Sequence, residues 1–298
     1  MARILLAHPL FLVDDAAERA AASPYFPIGI LSIAAYVRER GHEVAVFDGT
    51  FARGPHEFDA ALVRECPDVV GISAVLPTRA AVHDLAERSA VAGVPVVVGG
   101  PDATAAPSAY LLDAPVDVVV HHEGEQTIAR LLDLLDERPL DPAALLDEPG
   151  LALVHDGTVV VTDTRPPIDD LDSLPLPARD LIDLDRYLEV WRDEHGYASV
   201  TVSVTRGCAS GCDWCRDAVH GTTFRSRSPE RVAAEVRELS ARHGIDSVRL
   251  VDDVDALDRG WVEAWAAAAE AEGAVLPFEA LNDVVRRDLP MLEVRDGL

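Results

Sequence analysis

Apolar residues recur along this chain with two alternating periods. Arg3–Ala7 is too short for a helix and reads as a first strand. After a loop ending in Pro27-Ile28-Gly29, the residues Ile30, Ile33, Ala34 and Val37 fall at helical spacing on one face, and Gly41 ends that helix. Glu43–Phe47 is a second strand and 56–65 a second helix. Asp68–Ser73 carries Val69-Val70-Gly71-Ile72, the near-continuous apolar run of a strand covered on both faces. A helix over 79–91, a strand over Pro95–Val98, a strand over Val116–Val120 and a helix over Glu125–Asp136 complete the series. Strand and helix alternate with short links, which predicts an α/β fold built on an open, parallel, doubly wound sheet. Ligands bind such sheets at the carboxyl ends of the strands.

The pattern then changes. Leu151–His155 and Thr158–Thr162 flank Asp156-Gly157, a type I′ hairpin signal. An irregular, proline-rich connector over 166–180 and a short helix over Asp183–Trp191 follow. They carry no evident chemistry and serve to dock one half on the other. Ser199–Val204 alternates as a strand. Ser228-Pro229-Glu230 opens a helix with a serine cap and proline in the first turn. Val232, Val236 and Leu239 line one face of that helix, and Gly244 closes it. A strand over Ser247–Val251, a helix over 259–272 and a strand over Leu276–Leu281 make a βαβαβ series. The expected division is 1–140, a linker over 141–198, and 199–298.

Composition narrows the classes. The 298 residues are 49% apolar, enough for two substantial cores. No run approaches the roughly 18 apolar residues of a membrane span, and the N-terminus lacks the shape of a signal peptide. A cytoplasmic location and no membrane partner are expected. The formal net charge is −26, and all 26 basic residues are arginine. The absence of lysine excludes a P-loop lysine or a Schiff base, and the acidity argues against nucleic acid as a partner. Of the 4 cysteines, Cys66 reads as a buried helix-end residue.

The other three, Cys208, Cys212 and Cys215, stand as C-x3-C-x2-C directly after a strand, in a loop loosened by Gly207 and Gly211. Three thiolates on one loop can hold three irons of a 4Fe-4S cube and leave the fourth open to a small molecule. Zinc held by the three sulfurs and His220 is a second reading, and a reduced, metal-free cluster a third. Arg206, Arg216, Arg225, Arg227 and Arg231 make this segment basic. They read either as a balance for anionic groups or as partners of nearby acids.

Thr205-Arg206-Gly207-Cys208 through Cys215, with Trp214 before the third cysteine, resembles the signature of the radical S-adenosylmethionine (SAM) superfamily. The resemblance implies a 4Fe-4S cluster whose open iron chelates SAM, and one-electron cleavage of SAM to a 5′-deoxyadenosyl radical. It implies the first half of a partial (β/α)6 barrel for 199–298. It also implies SAM contacts from Trp214, from Asp252 and Asp253 at the end of the second strand, and from Glu279 on the third.

Gly29, the run ending in Ser73, Thr78, Gly99-Gly100-Pro101 with Thr104, and Glu123-Gly124-Glu125 are similar in order and spacing to the cobalamin-binding Rossmann-like domain that precedes many radical SAM domains. The resemblance implies that these residues bind cobalamin. The Asp-x-His-x-x-Gly motif is absent, so cobalamin would bind with no protein histidine beneath it. Asp102 and His122 depart from the family pattern. His8, His121 and His122 lie near strand ends and read as satisfied loop histidines. A cobalamin-free scaffold is the alternative.

The family's activity would be methylation or rearrangement at an unactivated carbon of a small-molecule or peptide substrate, with a reduced ferredoxin- or flavodoxin-like electron donor. The family's barrel needs about a hundred further residues. A second chain that completes it, or dimerisation, is therefore expected. The alternative function is a non-catalytic cofactor-binding accessory subunit, or one half of a split enzyme.

Overall fold

A computed structural model describes residues 1–137, 141–208, 219–251 and 259–280. Its strands are β1 (Arg3–His8), β2 (Glu43–Asp48), β3 (Val69–Ser73), β4 (Val96–Gly99), β5 (Val118–Val120), β6 (Leu151–His155), β7 (Thr158–Val161), β8 (Ser199–Val202), β9 (Thr205–Arg206), β10 (Arg225–Ser226), β11 (Ser247–Leu250) and β12 (Phe278–Ala280). The helices are α1 (Ala16–Ala21), α2 (Ile28–Glu39), α3 (His56–Glu65), α4 (Arg79–Val91), α5 (Pro101–Ala105), α6 (Ser108–Leu111), α7 (Glu125–Glu137), α8 (Leu184–His195), α9 (Pro229–His243) and α10 (Arg259–Glu272).

The first sheet has seven strands in the order β2-β1-β3-β4-β5-β6-β7. β1 to β5 are parallel, in the order 2-1-3-4-5 of a doubly wound sheet, and the strand order reverses between β1 and β3. Ligand crevices of such folds open beyond the strand carboxyl ends at that reversal. Both faces are covered. Phe58, Leu62, Val82 and Leu85 of α3 and α4 pack on one side, and Ile30, Ala34, Ile128 and Leu132 of α2 and α7 on the other. Val70, Val96 and Val119 face the first core and Val69, Val97 and Val118 the second, which is why these strands read as unbroken apolar runs.

The hairpin assigned above to the linker is part of this sheet. β6 runs antiparallel to β5, and β7 to β6. Leu151, Ala152 and Leu153 are buried in the same two cores. The turn is as expected, with Asp156 at φ 48° and Gly157 at φ 74°. Cys66 corrects another expectation. It caps α3 in a left-handed conformation, φ 45°, but is exposed rather than buried.

The second unit is a three-stranded parallel sheet, β12-β11-β8. Its α9 has Ser228 Oγ accepting from the Arg231 amide at 3.3 Å, and Gly244 ends it at φ 59°. Val200, Val202, Val248 and Leu250 pack with Val232, Val236 and Trp265 in a third core. Phe26 and Leu31, from the N-terminal half, belong to that core too. The connector is fixed between the halves by a buried triad. Glu235 of α9 is 1% exposed and lies 2.6 Å from both Arg179 of the connector and Arg227.

Candidate functional site

Thr205 and Arg206 leave the end of the β8 segment, and Gly207 turns the chain into the cysteine loop. β9 pairs antiparallel with β10, Arg206 opposite Arg225 and Thr205 opposite Ser226. The loop over 207–224 thus returns to its own base through a two-residue ladder, a neck. Gly207 is required there. It sits at φ 82°, and a Cβ on it would lie 2.2 Å from the Thr223 carbonyl oxygen. The Cys208 amide donates to the Gly221 carbonyl at 3.2 Å. Cys208 is half-buried and in no disulfide. Cys212, Trp214, Cys215, Asp252 and Asp253 lie outside the described residues.

The neck is held from the other half of the chain. The Glu123 carboxylate, just after β5, lies 2.7 Å from the Arg225 guanidinium and 3.5 Å from that of Arg206. It also accepts from the Ile168 amide at 2.9 Å and lies 3.5 Å from His220 Nδ1. Burial pushes this carboxyl up, but His220, the Ile168 amide, Arg206 and Arg225 outweigh it and hold it down at about 2. Glu125 pairs with Arg206. Burial opposes the Arg206 charge, yet Glu125 and Glu123 raise its pKa overall. Arg225 also donates to the carbonyls of Ile168 at 2.8 Å and His220 at 3.1 Å.

Arg206, Arg225 and Arg227 are therefore engaged by buried acids. Of the two readings of the basic segment, the one that pairs them with nearby acids describes these three. Glu123 and Glu125, which the sequence assigned to cobalamin, have their carboxylates on the neck. Sequence reasoning missed this, because partners roughly 80 to 100 residues away leave no local signal; the two acids do flank a glycine at a strand end, and that was the available hint.

The remaining strand-end residues form an open rim. Gly29 is exposed, and a Cβ there would meet nothing within 4 Å. Gly100, at φ 107°, brings the turn onto Ala74, whose carbonyl oxygen a Cβ would meet at 2.7 Å. Ser73 and Gly99 are half-buried neighbours in the β3–β4 register, Pro101 is exposed, and Leu76 beyond β3 is 66% exposed. Thr78 is buried, its hydroxyl engaged with the Val75 backbone. Thr104 Oγ1 accepts from the His122 amide at 3.2 Å, and Gly124 packs on Ile33. Asp102 forms a two-pronged ion pair with Arg79, at 2.7 and 2.8 Å, and accepts from the Tyr110 hydroxyl. A broad planar ring needs open surface with an apolar flank, and Gly29, Pro101 and Leu76 are the exposed residues there.

His8 and His121 are buried, and Nε2 of each has no hydrogen-bond partner among the described residues. Burial lowers the pKa of both. His122 takes a left-handed conformation, φ 62°, with Nδ1 3.2 Å from the Val219 carbonyl oxygen. Glu279 is exposed and lies opposite Arg249 in the β11–β12 register, 3.2 Å from its guanidinium. Among the described residues, no helix is long and apolar enough to cross a membrane.

Residues 18–132 match the family model described as the B12 binding domain, and residues 202–288 that of the Radical SAM superfamily. A Pyrococcus horikoshii protein named as an uncharacterized methyltransferase is 31% identical over 86% of this chain and 54% of its own length. The anaerobic magnesium-protoporphyrin IX monomethyl ester cyclase of Synechocystis is 27% identical over 87% of this chain and 52% of its own. The chain thus spans about half the length of these curated relatives. Among solved structures, the cobalamin-dependent SAM radical enzyme OxsB superposes with a TM-score of 0.76 at 16% identity, covering 93% of this chain and 38% of that one. The radical SAM methyltransferase TsrM from Kitasatospora setae gives 0.64 at 21%, covering 85% and 48%. At these identities the likeness is one of fold.

Proposed function

We propose that this chain, in which a B12 binding domain precedes a radical SAM domain, binds a 4Fe-4S cluster through Cys208, Cys212 and Cys215, and SAM at the iron they leave free. Cobalamin would lie on the rim of Gly29, Ser73 and Gly99–Pro101. When bound, these groups supply a 5′-deoxyadenosyl radical and a transferable methyl group. The chain's own residues position them. Gly207 and the β9–β10 ladder present Cys208, and Gly29, exposed and with nothing within 4 Å of its Cβ position, leaves room for a large ring. Asp252, Asp253 and Glu279 would contact SAM.

One observation carries the reading: the neck that delivers Cys208 is ion-paired to the β5–α7 turn of the B12 binding domain, which supports a cluster loop that works beside that domain. The names of the relatives, a methyltransferase and a cyclase, favour methyl transfer or ring formation; the electron would come from a reduced ferredoxin- or flavodoxin-like donor. The alternative reading is a non-catalytic, cofactor-binding accessory role.

The test is anaerobic reconstitution with iron and sulfide, reduction, and addition of SAM. Formation of 5′-deoxyadenosine, abolished by Cys208→Ala, is expected. A cluster that binds SAM without cleaving it favours the accessory role. Stoichiometric zinc with no iron chromophore overturns the proposal.

A further inference from the structure

A loop closed by two residue pairs has too few backbone bonds to hold its own shape. Something else must fix the neck between Arg206 and Arg225. Three residues of one short turn reach it. Glu123 spans it with a single carboxylate, 2.7 Å from Arg225 on the outgoing side and 3.5 Å from Arg206 on the incoming side. Glu125 takes the second arm of Arg206. His122 accepts a left-handed backbone, unusual for a residue with a Cβ, and its ring reaches the Val219 carbonyl at 3.2 Å. All four charges are withdrawn from water. The side chains are 7% exposed for Glu123, 5% for Glu125, 12% for Arg206 and 5% for Arg225. Opening such a set strands buried charge, so it stays closed in the native state.

We propose that the β5–α7 turn is a latch that fixes the base of the cysteine loop, Cys208 and residues 219–227, for metal, with Glu123 as its central positioning residue and His122 and Glu125 as flanking arms. The inference rests on the reading of that loop as a cluster site. The B12 binding domain thereby acquires a second role, because the base of the metal loop is held from a strand end far upstream in the chain. Glu123 then acts as an outer partner of the metal site, holding the neck that carries Cys208.

The test uses the full chain, prepared anaerobically, as wild type, Glu123→Gln, Glu125→Gln and, for comparison, Arg38→Gln at an exposed ion pair. Hydrogen exchange over 219–227 is read in metal-free protein. Iron and sulfide affinity, reduction potential and the spin signal of the reduced cluster are read after reconstitution. Glu123→Gln is expected to speed exchange at the neck, to weaken iron uptake by roughly tenfold or more, and to shift the potential and line shape of the cluster that does form. Glu125→Gln should do the same to a lesser degree, and Arg38→Gln should match wild type.

Wild-type exchange, uptake and potential in Glu123→Gln overturn the latch. If Glu123→Gln does not fold, a folded Glu125→Gln indistinguishable from wild type overturns it equally. If wild type itself takes no cluster, the cluster reading falls, and exchange at the neck alone decides the latch.

Discussion

Replacing Gly207 by alanine is the sharpest single perturbation of the site. Alanine at φ 82° is disfavoured by about 1 kcal/mol relative to glycine. Its Cβ would stand 2.2 Å from the Thr223 oxygen, 2.8 Å from the Thr223 carbonyl carbon and 3.1 Å from the Gly221 oxygen. All three are backbone atoms and cannot rotate aside. The returning strand must retreat by about 1 Å or more to restore ordinary contact. That movement gives up the Cys208-to-Gly221 bond and loosens the β9–β10 pair, at about 1 kcal/mol for each backbone bond. The sum is about 3 kcal/mol, or roughly a 100-fold rise in the open population of the neck. Gly221→Ala separates the two terms. Gly221 has φ 71° but nothing within 4 Å of its Cβ position, so only the conformational part, about 1 kcal/mol, applies. Hydrogen exchange at residues 205–208 and 225–227, with iron uptake alongside, measures both. Protection should collapse in Gly207→Ala and fall only slightly in Gly221→Ala. Thermal midpoints should move little in either, because none of the three cores contains the neck. Equal loss in the two variants, or none in Gly207→Ala, refutes the geometry.

Glu235→Gln leaves two buried guanidiniums without their carboxylate, so it should destabilise by about 3–5 kcal/mol and lower the melting temperature by about 10 °C; a fall under about 2 °C in calorimetry counts against the triad. The same carboxyl has a linked pH dependence. Burial pushes its pKa up, but Arg179 and Arg227 bring it below the ordinary carboxylate range. The stabilisation is therefore present above about pH 4.5 and lost as pH falls below it, and acid titration of stability should be steeper in wild type than in Glu235→Gln. Arg38→Gln breaks an ion pair with Asp180 whose side chains are 46% and 61% exposed, so urea unfolding should shift by under about 1 kcal/mol. Cys66→Ser should leave iron content unchanged, because Cys66 ends α3 at the amino edge of the sheet, opposite the strand ends that face the neck; lost iron would mean that it ligates.

Local chemistry determined much of this protein without reference to its fold. Side-chain periodicity and capping are set by residues within a turn of one another. Ile30 to Val37 therefore gave α2, Val69 to Ser73 gave β3, Ser228 and Gly244 bounded α9, and Asp156-Gly157 made its turn. The three cysteines belong to the same class, since their C-x3-C-x2-C spacing is read from the sequence alone. Tertiary structure alone decided who pairs with whom. β6 joins β5 antiparallel because its apolar residues complete two cores that neither hairpin strand can close by itself. Glu123 and Glu125 meet Arg206 and Arg225 because the two halves of the chain pack together at that turn. With 26 arginines and 52 acidic residues in the chain, no spacing rule singles out those four. Desolvation does, since only charges driven out of water together are obliged to find each other.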